Sequence, residues 1–271
     1  MSFTNNYRPP SPPPPLDLDR HLDPAEPYDI NFAFPLHAGA LESARVRLTP
    51  FVPALHARTY FAEVQAEPAM QRWLPFTHAS LEEVCAFVEH GVRCNPGWIL
   101  FAVLDKGAGE RMAGVIALVN TSAANLAAEI GWVVTFAAFR RTYVTTHAVG
   151  LLLRYCLSPR TARGTGPPGL GLRRVWWTAH PSNAPSLRAA RRVGMRVEGT
   201  QRWAWVLPAG KEGNGIEVPR AREADGEADG EADGEKKAAG RPGRDSVVLA
   251  VCWDDWEQGG SELVRGLMER A

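Results

Sequence analysis

Two apolar runs constrain this chain more than any other feature. WILFAVLD at 98–105 and MAGVIALVN at 112–120 are rich in β-branched and aromatic residues, and only the short stretch KGAGE and Arg111 lie between them. A connection that short can join two strands only as an antiparallel hairpin, because a parallel pair needs a crossover of a dozen residues or more. Further strands are read at 44–51, 127–136, 172–180, 195–207 and 245–256. Helical spacing of apolar residues marks 54–66, 81–92, 141–157, 184–193 and 261–270. Ser80 is placed to cap the second of these helices, with Glu83 at the capping-box position. Gly194 terminates the fourth. The order of elements is strand, two helices, antiparallel strands, then strand–helix–strand–helix–strands. This is a mixed α/β fold with a partly antiparallel central sheet flanked by helices. A doubly wound sheet is not expected, since no GxGxxG follows a first strand and no GK[ST] phosphate loop occurs.

Two segments interrupt this pattern. Residues 1–34 are Pro-rich, with SPPPP at 11–15, and read as a disordered tail; docking to a polyproline-binding partner is the alternative to a plain solvated tail. Residues 209–244 carry EADG three times between Glu223 and Gly234 and read as a flexible acidic insertion. Residues 35–271 are therefore expected to form a single domain, with its last strand returning after the insertion.

Bulk composition narrows the function classes. The formal net charge is zero, which gives no general attraction to nucleic acid or to an anionic membrane. The four cysteines form no CxxC pair and have no histidines at zinc spacing, so no metal is expected and a reducing compartment is. No apolar run approaches the length of a membrane span, and no signal pattern opens the chain. A cytoplasmic location, or a nucleocytoplasmic one, is the default reading. Oligomeric state is not legible.

The chemistry concentrates in the strand–loop–helix at 127–157. A helix that starts directly after a strand presents unpaired backbone N–H groups and the positive end of its dipole, which favours an anion such as a pyrophosphate. Arg140 and Arg141 add charge at that terminus, and Thr142, Thr145 and Thr146 add hydroxyl donors. A solvated helix start holding nothing accounts for the same residues.

Residues 112–202 resemble the GNAT acetyltransferase superfamily, and within it the branch of ribosomal-protein N-acetyltransferases, the RimJ/RimL-like branch. The matching segments are MAGVIALVN, AAEIGWVV at 127–134, FRRTYVTTHAVGLLLRYC at 139–156 and the stretch from Leu172 to Arg202. The branch phrase N-x-x-S-x-x-x-A/L-x-x-x-G-[FM]-x-x-E-G runs from Asn183 through Ser186, Ala190, Gly194 and Met195 to Glu198 and Gly199. The resemblance implies acetyl-CoA as cosubstrate, held between splayed strands at 127–135 and 172–180. It implies a pyrophosphate over Arg140, Arg141, Thr142, Tyr143, Val144 and Thr145. The family's loop pattern is [QR]-x-x-G-x-[GA], and here Tyr143 and Thr145 stand where it has small residues.

The resemblance also implies roles. Glu129 is a candidate base acting on the amine through water, or a structural hydrogen-bond acceptor at the strand edge. Backbone N–H groups near Val133 and Val134 are candidates for the thioester oxyanion. Asn183 is a coenzyme A contact or an N-cap. Ser186 protonates the departing thiolate or only hydrogen-bonds it. WLPF at 73–76 is a candidate part of the acceptor mouth or a plain linker, and Trp132 and Trp203 line the acceptor cleft or the core. The implied activity is acetyl transfer to a primary amine, on a protein N-terminus or a small molecule, by direct attack on the thioester. The alternative is a catalytically degenerate acyl-CoA-binding regulatory protein.

Overall fold

The computed structural model describes residues 4–8, 11, 13, 15–23, 26–160, 167–218 and 241–270. The EADG repeats lie outside the described residues. In chain order the elements are α1 (Leu18–Leu22), β1 (Val46–Pro50), α2 (Pro53–Ala66), α3 (Leu81–Ala86), β2 (Ile99–Asp105), β3 (Arg111–Ser122), β4 (Ala127–Thr135), α4 (Val144–Leu157), β5 (Arg174–Ala179), α5 (Ala184–Arg192), β6 (Arg196–Val206), β7 (Gly243–Cys252), α6 (Trp253–Asp255) and α7 (Ser261–Arg270).

The strands form one seven-stranded sheet in the order β1-β2-β3-β4-β5-β7-β6. Every pairing is antiparallel except β4 with β5. The β2–β3 hairpin forms as the short connection requires, with Gly109 and Glu110 both left-handed in its turn. Consecutive residues of β2 and β3 are buried, so helices cover both faces of the centre of the sheet. Helix α4 is apolar on nearly all sides, from Val144 to Leu157, because it lies between the sheet and α7. Strand β7 slides between β5 and β6, so the last strand in sequence is interior and β6 is the sheet edge.

Local signals explain the boundaries. Pro53 opens α2 at its first turn, where a missing N–H costs nothing. Ser80 Oγ accepts from Glu83 N–H at 3.1 Å. The return arm of the expected capping box reaches one residue further back, since Glu83 accepts from Ala79 N–H at 2.6 Å. The helix expected over 81–92 is α-helical only to Ala86 and widens into a π-helical turn over Phe87–Arg93. Gly194 is left-handed at φ 91° and closes α5.

From Leu16 onward the described residues of the amino-terminal segment pack on the domain, whereas those described among 4–15 are exposed. Phe34 is buried, and Leu16, Leu18, Leu22, Ile30 and Phe32 pack against the core. Glu89 anchors the segment: it accepts from His21 Nε2 at 3.0 Å, from Tyr28 Oη at 3.2 Å and from Arg93 Nε at 2.8 Å. The Tyr155 hydroxyl donates to the carbonyl of Pro35. Apolar residues spaced among the prolines dock over α2 and α3, and polyproline composition hid them.

Candidate active site

The parallel β4–β5 pair holds only from Ala127↔Arg174 to Glu129↔Trp176. Beyond Glu129 the two strands separate. On its other side β4 carries a β-bulge: the register with β3 runs Ala117↔Gly131 and then Val115↔Val134, passing over Trp132 and Val133. Trp132 takes a left-handed φ of 52°, which a side chain disfavours by roughly 1–2 kcal/mol. Gly114 permits the close approach beside it, because a Cβ there would lie 2.1 Å from the Val134 carbonyl oxygen. The bulge and the splay together open a wedge through the sheet.

Two cavities meet in that wedge. One, of about 390 Å³, is walled by Trp73, Phe76, Phe87, Trp132 and Trp205 and holds Glu129, Thr178, His180 and Arg244. The other, of about 790 Å³, runs over the start of α4 and along α5. Trp73, Leu74, Val133, Trp177, Asn183 and Ser186 line both. All four residues of WLPF at 73–76 line the first cavity. Trp132 lines it as well. Trp203 does not; it lies over Gly243 on the exposed edge strand, and Trp205 takes the wall position.

Glu129 is buried and held by two donors. Asn120 Nδ2 donates to Oε2 at 2.8 Å and Thr178 Oγ1 donates to Oε1 at 2.5 Å. A carboxylate offers about four lone-pair sites, so these bonds orient it and still leave acceptor capacity toward the cavity. Ser186 Oγ accepts the indole N–H of buried Trp177 at 2.9 Å. Because an indole N–H only donates, the single Ser186 proton is directed elsewhere. Asn183 caps α5, its Oδ1 accepting Ser186 N–H at 3.2 Å, and it also lines both cavities, so cap and contact are compatible roles.

The helix-start loop is rearranged relative to the sequence expectation. Tyr143 turns out of the cleft and donates to Asp105 Oδ1 at 2.6 Å, with the Arg45 guanidinium over its ring. Its backbone is right-handed helical, so glycine is not required there. The Val144 side chain is buried in the core. Thr145 shares a 2.7 Å hydrogen bond with Thr135. Neither Tyr143 nor Val144 contributes a side chain to the larger cavity, contrary to the reading of a contiguous 140–145 contact. Arg140 lines it but is paired with Glu67 at 2.6 Å. The unpaired cations are Arg141, which has a left-handed φ of 61°, and Arg188 and Arg192 on α5; none makes a hydrogen bond or ion pair among the described residues. Sequence reasoning missed Arg188 and Arg192, although they stand four apart on one helical face.

Arg244 and His180 were also missed. Arg244 falls within the stretch read as an insertion, yet it belongs to β7 and faces the same side as buried Ser246 two residues on. Burial pushes the Arg244 guanidinium down to about 10, while the negative charge of Glu129 acts in the opposite sense. Burial, reinforced by the charge of Arg244, lowers the His180 imidazole.

Residues 45–196, more than half of the chain, match the Acetyltransferase (GNAT) domain family. No curated protein matches in sequence. Among solved structures, a GCN5-related N-acetyltransferase from Brucella melitensis is 26% identical, with a TM-score of 0.61 over 84% of this chain and 84% of that one. A probable GNAT-family acetyltransferase from Chromobacterium violaceum is 23% identical, with a TM-score of 0.62 over 93% of this chain and 100% of that one. RimJ of Mycobacterium smegmatis, solved in complex with CoA-disulfide, is 18% identical, with a TM-score of 0.53 over 82% and 88%. With a family match over residues 45–196 and the splayed, bulged sheet behind it, this chain belongs to the GNAT acetyltransferase family.

Proposed function

We propose that this protein is an N-acetyltransferase of the RimJ/RimL-like branch, moving an acetyl group from acetyl-CoA to a primary amine by direct attack on the thioester. The observation that carries the reading is the junction of two cavities at Val133, Asn183 and Ser186, one cationic and one holding a fixed carboxylate. The larger cavity fits coenzyme A: Arg141, Arg188 and Arg192 are unpaired cations along it, and Thr146 and the first turn of α4 add donors. Tyr143 leaves this cleft clear by pointing to Asp105. When bound, acetyl-CoA supplies an activated acyl thioester.

The chain's own residues then divide the work. Glu129 takes a proton from the acceptor ammonium, directly or through water, and its clamps on Asn120 and Thr178 hold it in place for that transfer. The backbone N–H of Val133, passed over by the β3 register and beyond the β5 pairing, donates to the developing oxyanion. Ser186 directs its only proton toward the leaving sulfur, since its oxygen is engaged by Trp177. The branch assignment rests on the phrase from Asn183 to Gly199 and on the fold shared with RimJ.

The test is thiol release from acetyl-CoA with a panel of amines, run beside thermal stabilisation by coenzyme A. Stabilisation with amine-dependent thiol release is expected. A second reading, an acyl-CoA-binding protein without turnover, is favoured by the Arg140–Glu67 pair, which removes one expected cation from the phosphate loop. It predicts stabilisation with no thiol release from any amine.

A further inference from the structure

Arg244 is the most costly side chain in the smaller cavity. It is 5% exposed, lines the cavity, and donates no hydrogen bond among the described residues; its Nε is fully buried and unpartnered. A buried guanidinium without a bonded anion is strongly disfavoured unless a ligand completes it. Glu129 is the nearby negative charge, but it forms no ion pair with Arg244, and its bonds are made by Asn120 and Thr178.

His180 carries a second unsatisfied donor into the same cavity. Its Nδ1 accepts Ser182 N–H at 3.1 Å, which places the proton of the neutral ring on Nε2. That Nε2 is buried and has no partner, and the ring packs at a tilt against Trp73, 4.6 Å between ring centroids. One cavity therefore holds a carboxylate with spare acceptor sites and two buried donors, one of them a cation. The walls around them are aromatic.

We infer that the acceptor amine carries a carboxylate of its own, which Arg244 and His180 bind while Glu129 faces the amine. The substrate class is a zwitterion with an apolar portion, such as an apolar α-amino acid. An acidic first residue at a peptide N-terminus presents the same pair of charges. This inference rests on the acetyltransferase reading for the direction of the amine, but not for the anion site itself.

The experiment separates the two. Calorimetry on the full chain, with and without coenzyme A, measures N-acetylphenylalanine against its amide, and N-acetyl-Glu-Ala-amide against N-acetyl-Gln-Ala-amide. These are product forms, so the readout needs no turnover. At least one acid should bind about tenfold or more tightly than its neutral counterpart, the size expected of one charged hydrogen-bonded contact. Whichever pair discriminates identifies the source of the carboxylate. Arg244→Gln should collapse the discrimination to about twofold or less, and Arg244→Lys should retain part of it. Should Arg244→Gln not fold, the preference of the wild-type protein still decides. Equal binding of acid and amide in both pairs, or binding of neither, overturns the inference, as does an Arg244→Gln variant that keeps the full preference. Acid-selective binding without thiol release refutes the acetyltransferase reading alone. Thiol release restricted to amines without a carboxylate refutes the anion site alone.

Discussion

At the residue scale the decisive groups are those whose hydrogen bonds assign their protons. Glu129 accepts from two donors and retains capacity, and Ser186 accepts from Trp177 and must donate elsewhere. Glu129→Gln keeps the shape and removes the proposed base, so kcat should fall about 10²-fold at neutral pH with coenzyme A affinity unchanged. Steady-state kinetics beside a coenzyme A titration measures both, and near-normal kcat removes Glu129 from the mechanism. Tyr143 makes the opposite case. Its position in the family loop suggested contact with phosphate, but its hydroxyl is spent on Asp105. Tyr143→Phe should lower stability by about 1 kcal/mol and leave coenzyme A affinity within about twofold. A large loss of affinity at constant stability would return Tyr143 to the phosphate site. The sequence located Glu129 and Ser186 because they sit in recognisable phrases. It did not locate Arg244 or His180, whose importance comes from burial and missing partners.

At the element scale the described residues of the amino-terminal segment from Leu16 onward pack as part of the domain. Its anchor is Glu89, whose carboxyl is held down to about 2 chiefly by the hydrogen bonds from Arg93, with His21 adding to the effect. A carboxyl lowered in the folded state stabilises above its unfolded value of about 4.3, and that contribution is lost as pH falls toward 2. Glu89→Gln should therefore cost about 2 kcal/mol at neutral pH and expose the chain before residue 35 to protease. Limited proteolysis with mass analysis of the cut sites is the check; unchanged protection of residues 16–34 would show that the apolar contacts suffice. The helices and strands themselves were legible to within a few residues, because period and caps are local. The bulge at Trp132 and the π-turn at Phe87–Arg93 were not, since each depends on what packs against it.

At the scale of the whole molecule, buried histidines tie stability to pH. His78 lies 5.0 Å from Phe76 and 5.1 Å from Phe87, ring to ring, and burial pushes its imidazole down to about 4. A histidine lowered in the folded state favours folding while neutral, so its contribution is complete above about 6.5 and declines as pH falls toward 4. Urea unfolding between pH 6.5 and 4.5 should lose about 1 kcal/mol per pH unit through this one group, and His78→Phe should flatten the slope by that amount. An identical slope in the variant would assign the acid sensitivity elsewhere. By itself the sequence determined the elements, the antiparallel hairpin, the return of the last strand and the family, because these follow from local periodicity, turn length and a spaced phrase. Only the tertiary structure decided where β4 and β5 part, which arginines remain unpaired, and that the last residue of the stretch read as an insertion becomes the buried cation of the smaller cavity. Those features depend on desolvation and on partners far apart in the chain, and neither is encoded in any local stretch of residues.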